Sequence, residues 1–232
     1  MSELGKFIVW EGPDGSGKTN QVVLTSKWLE GEYKIKNVPT AEHWKDDVLG
    51  QAIHTVVELK QAKLDSLALQ QTFMANRVNH TAMFIKPFLD SGIWVLGDRY
   101  NESTINYAPN EYRDMLIRHT KDYEEIGKIL IPDLSILVDV PAEEVIRRGE
   151  ARRDGLRPKN LPPELLLQST EASKMGRESI FEKLEEQRRV RNNYLERFSC
   201  SDNRKVIVDG VGSFEEVQQR IRNEILRRGM VK

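Results

Sequence analysis

Gly12-Pro13-Asp14-Gly15-Ser16-Gly17-Lys18-Thr19 fits the spacing glycine, four residues, Gly-Lys-Ser/Thr. The chemistry of that spacing is phosphate binding. Glycines such as Gly12, Gly15 and Gly17 let main-chain amides approach phosphate oxygens where a Cβ would collide. Ser16 lies within the same loop, Lys18 would reach the outer phosphates of a nucleotide, and the Thr19 hydroxyl would help hold Mg²⁺. A site for ATP or GTP is therefore expected.

A second acid is needed for the metal. Asp98 closes the apolar run Ile93-Trp94-Val95-Leu96-Gly97 and is followed by Arg99. A carboxylate beside a guanidinium can support a metal shell and clamp a second phosphate. Asp139, near the end of another apolar run, is the rival acid. Phe73 and Arg77 stand four apart on one helix face, where a ring and a guanidinium could stack on a base and bond its edge. Core packing for Phe73 and a surface position for Arg77 explain the same spacing equally simply. His43, His54, His80 and His119 show no metal-ligand spacing with Cys200, so all four read as structural. No Ser/His/Asp set stands out.

These groups must be carried by a frame. Phe7-Ile8-Val9-Trp10 reads as a buried strand entering the glycine-rich turn, and Thr19 to Leu29 as the helix leaving it. Such a turn points amides and a helix N-terminus at one anion. Tyr33 to Val38 alternates as a short strand ended by Pro39; a long helix from about Asp65 to Asp90 follows, kinked at Pro87. Leu134 to Val140 and Lys205 to Val208 supply further strands, with helices at about 110–129, 177–198 and 214–226. Alternating strands and helices predict a three-layer α/β fold: a five-stranded parallel sheet with helices on both faces. Ligands of such sheets sit beyond the carboxyl ends of the strands, where Gly12, Pro39, Asp98 and Asp209 fall.

Between 147 and 177 the rhythm breaks. Arg147, Arg148, Arg152, Arg153, Arg157 and Lys159 cluster among glycines and prolines. A basic lid at about 147–176 would close over phosphates and exclude water, which a phosphotransferase needs; a solvated surface insertion is the plainer alternative.

The 232 residues suit one domain with a mobile insert, and a formal net charge of −1 gives no field for nucleic acid or membrane. A lone cysteine excludes an internal disulfide and points to a reducing compartment. No apolar run approaches the roughly 20 residues of a membrane span, so a soluble intracellular protein is expected.

Taken together, Glu11 to Thr19 with Gln21, Phe73-Met74-Ala75-Asn76-Arg77, Asp98-Arg99-Tyr100 with Ser103, Thr104 and Tyr107, and Pro132-Asp133-Leu134 leading to Pro141 resemble the thymidylate kinase family of P-loop nucleoside monophosphate kinases. The resemblance implies Mg²⁺-dependent transfer from ATP to dTMP. It would place Asp14 on the deoxyribose 3′-hydroxyl, Phe73 on the thymine face, Arg77 on its edge and Arg99 on the monophosphate. Asp98 and Thr19 would support Mg²⁺, and Tyr107 and Thr104 would border the sugar. With no arginine inside the phosphate loop, lid arginines, Arg152 or Arg153, would supply the catalytic charge beside Lys18. A homodimer through the helices at 48–90 is implied too. The family's usual arginine near a proline after the second strand is missing from Val38-Pro39-Thr40-Ala41-Glu42, so Lys45 or a lid residue would replace it. Rival readings are a kinase for another deoxynucleoside monophosphate or a deoxynucleoside, and a non-catalytic nucleotide-binding module. A GTPase is disfavoured, because no Asn-Lys-x-Asp run occurs.

Overall fold

A computed structural model describes residues 4–153 and 180–231, with side chains over 4–149 and 184–231. Five parallel strands form one sheet: β1 (Phe7–Glu11), β2 (Asn37–Ala41), β3 (Trp94–Asp98), β4 (Leu134–Asp139) and β5 (Lys205–Asp209), in the order β2-β3-β1-β4-β5. Central β1 pairs Phe7 with Val95 on one side and Ile8 with Leu134 on the other. This register aligns the carboxyl ends of β1 and β3, and so sets Glu11 and Asp98 on one rim.

Both faces are covered, which is why β1 is apolar from Phe7 to Trp10 rather than alternating. Ile8 and Trp10 point into a core with Val22, Trp28 and Leu29 of α1 (Lys18–Tyr33) and Val217, Ile221 and Ile225 of α9 (Phe214–Arg227). Phe7 and Val9 point the other way, against Ile85, Phe84 and Phe88. Each fully buried Ile, Leu or Phe contributes about 1.5–3 kcal/mol by leaving water. On that second face α8 (Ile180–Phe198) brings Val190, Tyr194 and Phe198 against Leu137.

Four expectations need correcting. The segment expected as a strand from Tyr33 starts as helix: α1 continues through Tyr33, whose ring packs edge-on against Trp28 at 5.2 Å between centroids. Pro39 does not end β2 but lies within it, opposite Leu96. A strand at the sheet edge has one ladder side free, so a residue without an N–H is tolerated there. The long helix is also divided: α3 (Ser66–His80) passes through a π-helical turn at Thr81–Ile85 into α4 (Lys86–Asp90). Pro87 cannot donate to the carbonyl four residues earlier, and wider π hydrogen bonding just before it absorbs the misfit.

Two shorter helices, α2 (Val48–Val57) and α5 (Asn101–Tyr107), both pack on α3, and α6 (Asn110–Glu125) follows α5. Finally, α7 (Ala142–Arg153) is regular where an irregular lid was expected to begin, so Arg147 and Arg148 are helical residues. The rest of the expected lid, with the side chains of Arg152 and Arg153, lies outside the described residues.

Candidate active site

β1 ends at Glu11, and Gly12 turns the chain with φ +139°. A Cβ there would stand 2.7 Å from the Val138 carbonyl oxygen, so only glycine fits. Gly17 is the N-cap of α1, left-handed and without a capping side chain. The first-turn amides of α1 thus have no side-chain acceptor, and an anion would cap them. Gly15, also at positive φ, completes the turn.

Lys18 is buried. Its ammonium donates to the carbonyls of Gly12 (3.0 Å) and Pro13 (2.8 Å) and to Ser16 Oγ (3.3 Å). Burial, followed by the nearby positive charge of Arg99, pushes its pKa down to about 8. Phosphates would supply the negative charge this cation lacks.

Thr19 donates its hydroxyl to Asp98 Oδ2, joining the first turn of α1 to the end of β3. Asp98 Oδ1 is buried with no hydrogen-bond partner among the described residues. The rival Asp139 is taken: Arg191 of α8 grips both its oxygens at 2.7 and 2.8 Å. Of the two acids, Asp98 alone offers an unsatisfied oxygen to the loop.

Arg99 has φ +73°, a left-handed conformation that costs a non-glycine residue about 1–3 kcal/mol. Its amide donates to the Trp10 carbonyl (2.9 Å), and the Tyr100 amide donates to Glu11 Oε1 (2.8 Å), which holds the turn. The effect is to fold the guanidinium back over the phosphate loop. Nη1 donates to the Gly12 carbonyl (3.1 Å) and Ser103 Oγ (2.9 Å), and Nη2 to Asp14 and the Tyr107 hydroxyl. The ring of Tyr107 lies 5.0 Å beneath the guanidinium carbon, and its hydroxyl accepts from the Asp14 amide at 2.9 Å. Asp14, Arg99 and Tyr107 are therefore one cluster.

Arg77 is fully buried, not on the surface. It donates to Glu42, to the Tyr100 carbonyl (3.0 Å) and to Thr104 Oγ1 (2.9 Å). Phe73, one turn earlier on α3, is half-buried with its edge against His43 at 6.2 Å between centroids. Lys45, expected as a substitute phosphate ligand, ion-pairs with Glu58 at 3.1 Å.

Two residues named in the sequence, Arg148 and Glu11, make contacts at the site that the sequence does not foretell. Arg148 of α7 reaches the Ser16 carbonyl (3.4 Å) and the Gly210 carbonyl (2.9 Å), spanning the phosphate loop and the turn after β5. Beneath Arg99, Glu11 accepts from Ser103 Oγ (2.7 Å) and the Tyr194 hydroxyl (3.0 Å). Burial raises the Glu11 pKa, while Ser103 and Arg99 pull it back. Only a register of distant helices could reveal these contacts; the basic cluster around Arg148 was the one local hint.

A phosphate loop after a central strand, answered across the sheet by an acid and an arginine turned toward it, is the arrangement of a P-loop nucleotide kinase. Comparison with known proteins narrows the class. The family model for thymidylate kinase matches residues 10–221. A thymidylate kinase of Prochlorococcus marinus (strain NATL1A) is 36% identical over 159 residues, covering 65% of this chain and 74% of that protein. A probable thymidylate kinase of Pyrococcus abyssi is 32% identical over 226 residues, covering 94% of each. A solved thymidylate kinase from Candida albicans shares the fold, with a TM-score of 0.68, 20% identity, and coverage of 98% of this chain and 94% of that one. This chain belongs to the thymidylate kinase family, and it is a nucleoside monophosphate kinase.

Proposed function

We propose that the protein transfers the γ-phosphoryl group of ATP to dTMP, giving ADP and dTDP, as a single kinase domain. The observation that carries this reading is the backward turn of Arg99, which sets an acceptor-side cation against the same loop that Lys18 underlies. Two phosphate groups drawn to Lys18 and Arg99 would meet over one rim. Positioning and charge supply most of the catalysis in phosphoryl transfer, so no covalent intermediate is needed.

In this scheme the amides of Gly12 to Thr19 hold the ATP phosphates, with Lys18 on the outer ones. Mg²⁺ suits the site: the orphaned Asp98 Oδ1 and the Thr19 hydroxyl are hard oxygen donors of the kind it takes. When bound, it neutralises charge on the transferred group. Arg99 receives the dTMP phosphate, releasing Asp14 toward the sugar hydroxyl. Tyr107 borders the sugar with Thr104, while Phe73 and Arg77 face the base. Arg152 and Arg153 close the site from the lid side.

We also propose a homodimer through α2, α3 and the π-helical turn. The exposed apolar side chains Val48, Val57 and Met83 on those elements favour it. No helix among the described residues is long and apolar enough to cross a membrane, which suits a soluble intracellular enzyme.

Chromatography of nucleotides after incubation with ATP, Mg²⁺ and dTMP tests the reaction. Equal amounts of ADP and dTDP are expected. ADP without dTDP would mean ATP hydrolysis, and neither product from folded protein would leave a binding module.

A further inference from the structure

Two of the four histidines come together around one carboxylate. His43, in the loop after β2, and His54, on α2, both approach Glu58, four residues beyond His54 at the end of the same helix. His43 Nε2 lies 3.5 Å from Glu58 Oε1, and His54 Nδ1 lies 3.0 Å from Glu58 Oε2. Both nitrogens are buried, and among the described residues neither has a polar partner on record other than this carboxylate. Two buried imidazole nitrogens and a carboxylate thus converge on one point, a donor set that a cation between them would satisfy.

We propose that His43, His54 and Glu58 form a site for a borderline divalent transition-metal ion of the zinc class, distinct from the Mg²⁺ site at Thr19 and Asp98. Around a tetrahedral ion with bonds of about 2.0–2.1 Å, neighbouring donor atoms lie about 3.3–3.4 Å apart. The two measured carboxylate–imidazole separations bracket that value, and all three donors lie within 4.8 Å of one another. The widest pair, at no more than 4.8 Å, needs up to about 1.5 Å of closure to reach a tetrahedral edge. Two imidazoles and one carboxylate select zinc-class ions over Mg²⁺, which prefers an all-oxygen shell. Burial lowers the pKa of His43, with Lys45 and His54 adding to the effect against the pull of Glu58, and so favours the neutral imidazole that a metal requires.

Lys45 is the built-in competitor. Its ammonium sits 3.1 Å from Glu58, occupying the carboxylate in the ion's place. Its side chain is half exposed and can swing into water, so an ion would exchange one cation for another without stranding a charge. The position has a consequence for the enzyme. His43 follows Glu42, which holds Arg77, and its ring meets Phe73. An ion here would tie the end of α2 to the loop that shapes the base side of the acceptor pocket.

Competition between the full-length protein and a chromophoric chelator for Zn²⁺, with Mg²⁺ in excess and Cys200→Ser in every sample to remove the exposed thiol, tests the site. One tight ion per chain is expected, with affinity lowered about tenfold or more in His43→Gln and His54→Gln. Lys45→Met, which keeps all three ligands, should bind Zn²⁺ more tightly than the parent protein. Thermal melts with Zn²⁺ provide a second readout: the parent and Lys45→Met should be stabilised, and His54→Gln should not. Zn²⁺ binding that ignores all three substitutions, or no binding by parent and Lys45→Met alike, overturns the proposal.

Discussion

Arg77 and Glu42 form a buried ion pair in which neither side chain is more than 4% exposed. Arg77 Nε lies 3.0 and 2.8 Å from the two carboxylate oxygens, and Nη2 adds a bond of 2.5 Å to the closer one. Burial alone would raise the Glu42 pKa, but the adjacent guanidinium outweighs it and holds the carboxyl below its ordinary range. Two of the three guanidinium nitrogens are thus committed before any base arrives, and Nη1 faces the sulfur of Met74 at 3.5 Å. Glu42 therefore fixes how the Arg77 guanidinium is turned, with Nη1 the one nitrogen it does not hold.

Glu42→Ala should destabilise the fold by about 3–5 kcal/mol, because it strands a buried positive charge. Urea denaturation measures the loss. Adding Arg77→Met should recover much of that stability while leaving dTMP binding impaired. A single mutant as stable as the parent would mean that water reaches Arg77.

Lys18 couples the site to pH. Its pKa is pushed down to about 8 from the ordinary 10.5, so between those values the unfolded chain binds more protons than the folded one. The cost of the buried ammonium is fully present below about pH 8 and is relieved as pH rises through that window. Lys18→Met removes this contribution. Unfolding free energies at about pH 7.5 and about pH 9.5 should therefore favour the variant most at the lower pH. ATP should act in the opposite sense: its phosphates restore the ammonium, so calorimetry in two buffers near pH 8 should detect proton uptake on binding.

Asp98→Asn tests the metal role. Among the described residues its carboxylate accepts one hydrogen bond, from the Thr19 hydroxyl, which an amide oxygen can still accept, so the fold should hold. kcat should fall about 10²–10³-fold, the scale of losing one preorganised electrostatic group. The Mg²⁺ concentration for half-maximal rate should rise as well. A variant with normal kcat and Mg²⁺ dependence would assign the metal elsewhere.

Arg99→Lys keeps the charge but cannot reach several partners at once as the planar fork does. The KM for dTMP should rise about 10–100-fold, as expected for charge-assisted bonds worth about 1.5–3 kcal/mol, while the KM for ATP changes little. Equal losses for both nucleotides would mean that Arg99 serves the phosphate loop rather than the acceptor.

What could be read from sequence was whatever a short window determines. Phe7 to Thr19 announces a strand, a phosphate turn and a helix by itself, and Asp98-Arg99 closes an apolar run as a rim residue should. Tyr33 and Pro39 were misplaced because their setting depends on neighbours: a ring five residues back for one, a sheet-edge position for the other. The π-helical turn at Thr81–Ile85 keeps a helical apolar pattern, so periodicity cannot register it. Glu42 as the partner of Arg77 and Arg148 as a bridge to Gly210 join residues 35 and 62 apart in the chain, and no spacing rule reaches that far.

The acceptor is the heart of the account, and a comparison of kcat/KM across dTMP, dUMP, AMP, CMP, UMP and GMP with saturating ATP and Mg²⁺ addresses it most directly. dTMP should exceed the four ribonucleotides by at least about 100-fold, the scale on which a pocket separates substrates that differ by a single small group. Equal use of dTMP and any ribonucleotide would contradict the assignment of Phe73, Arg77 and Tyr107 to a thymidylate pocket.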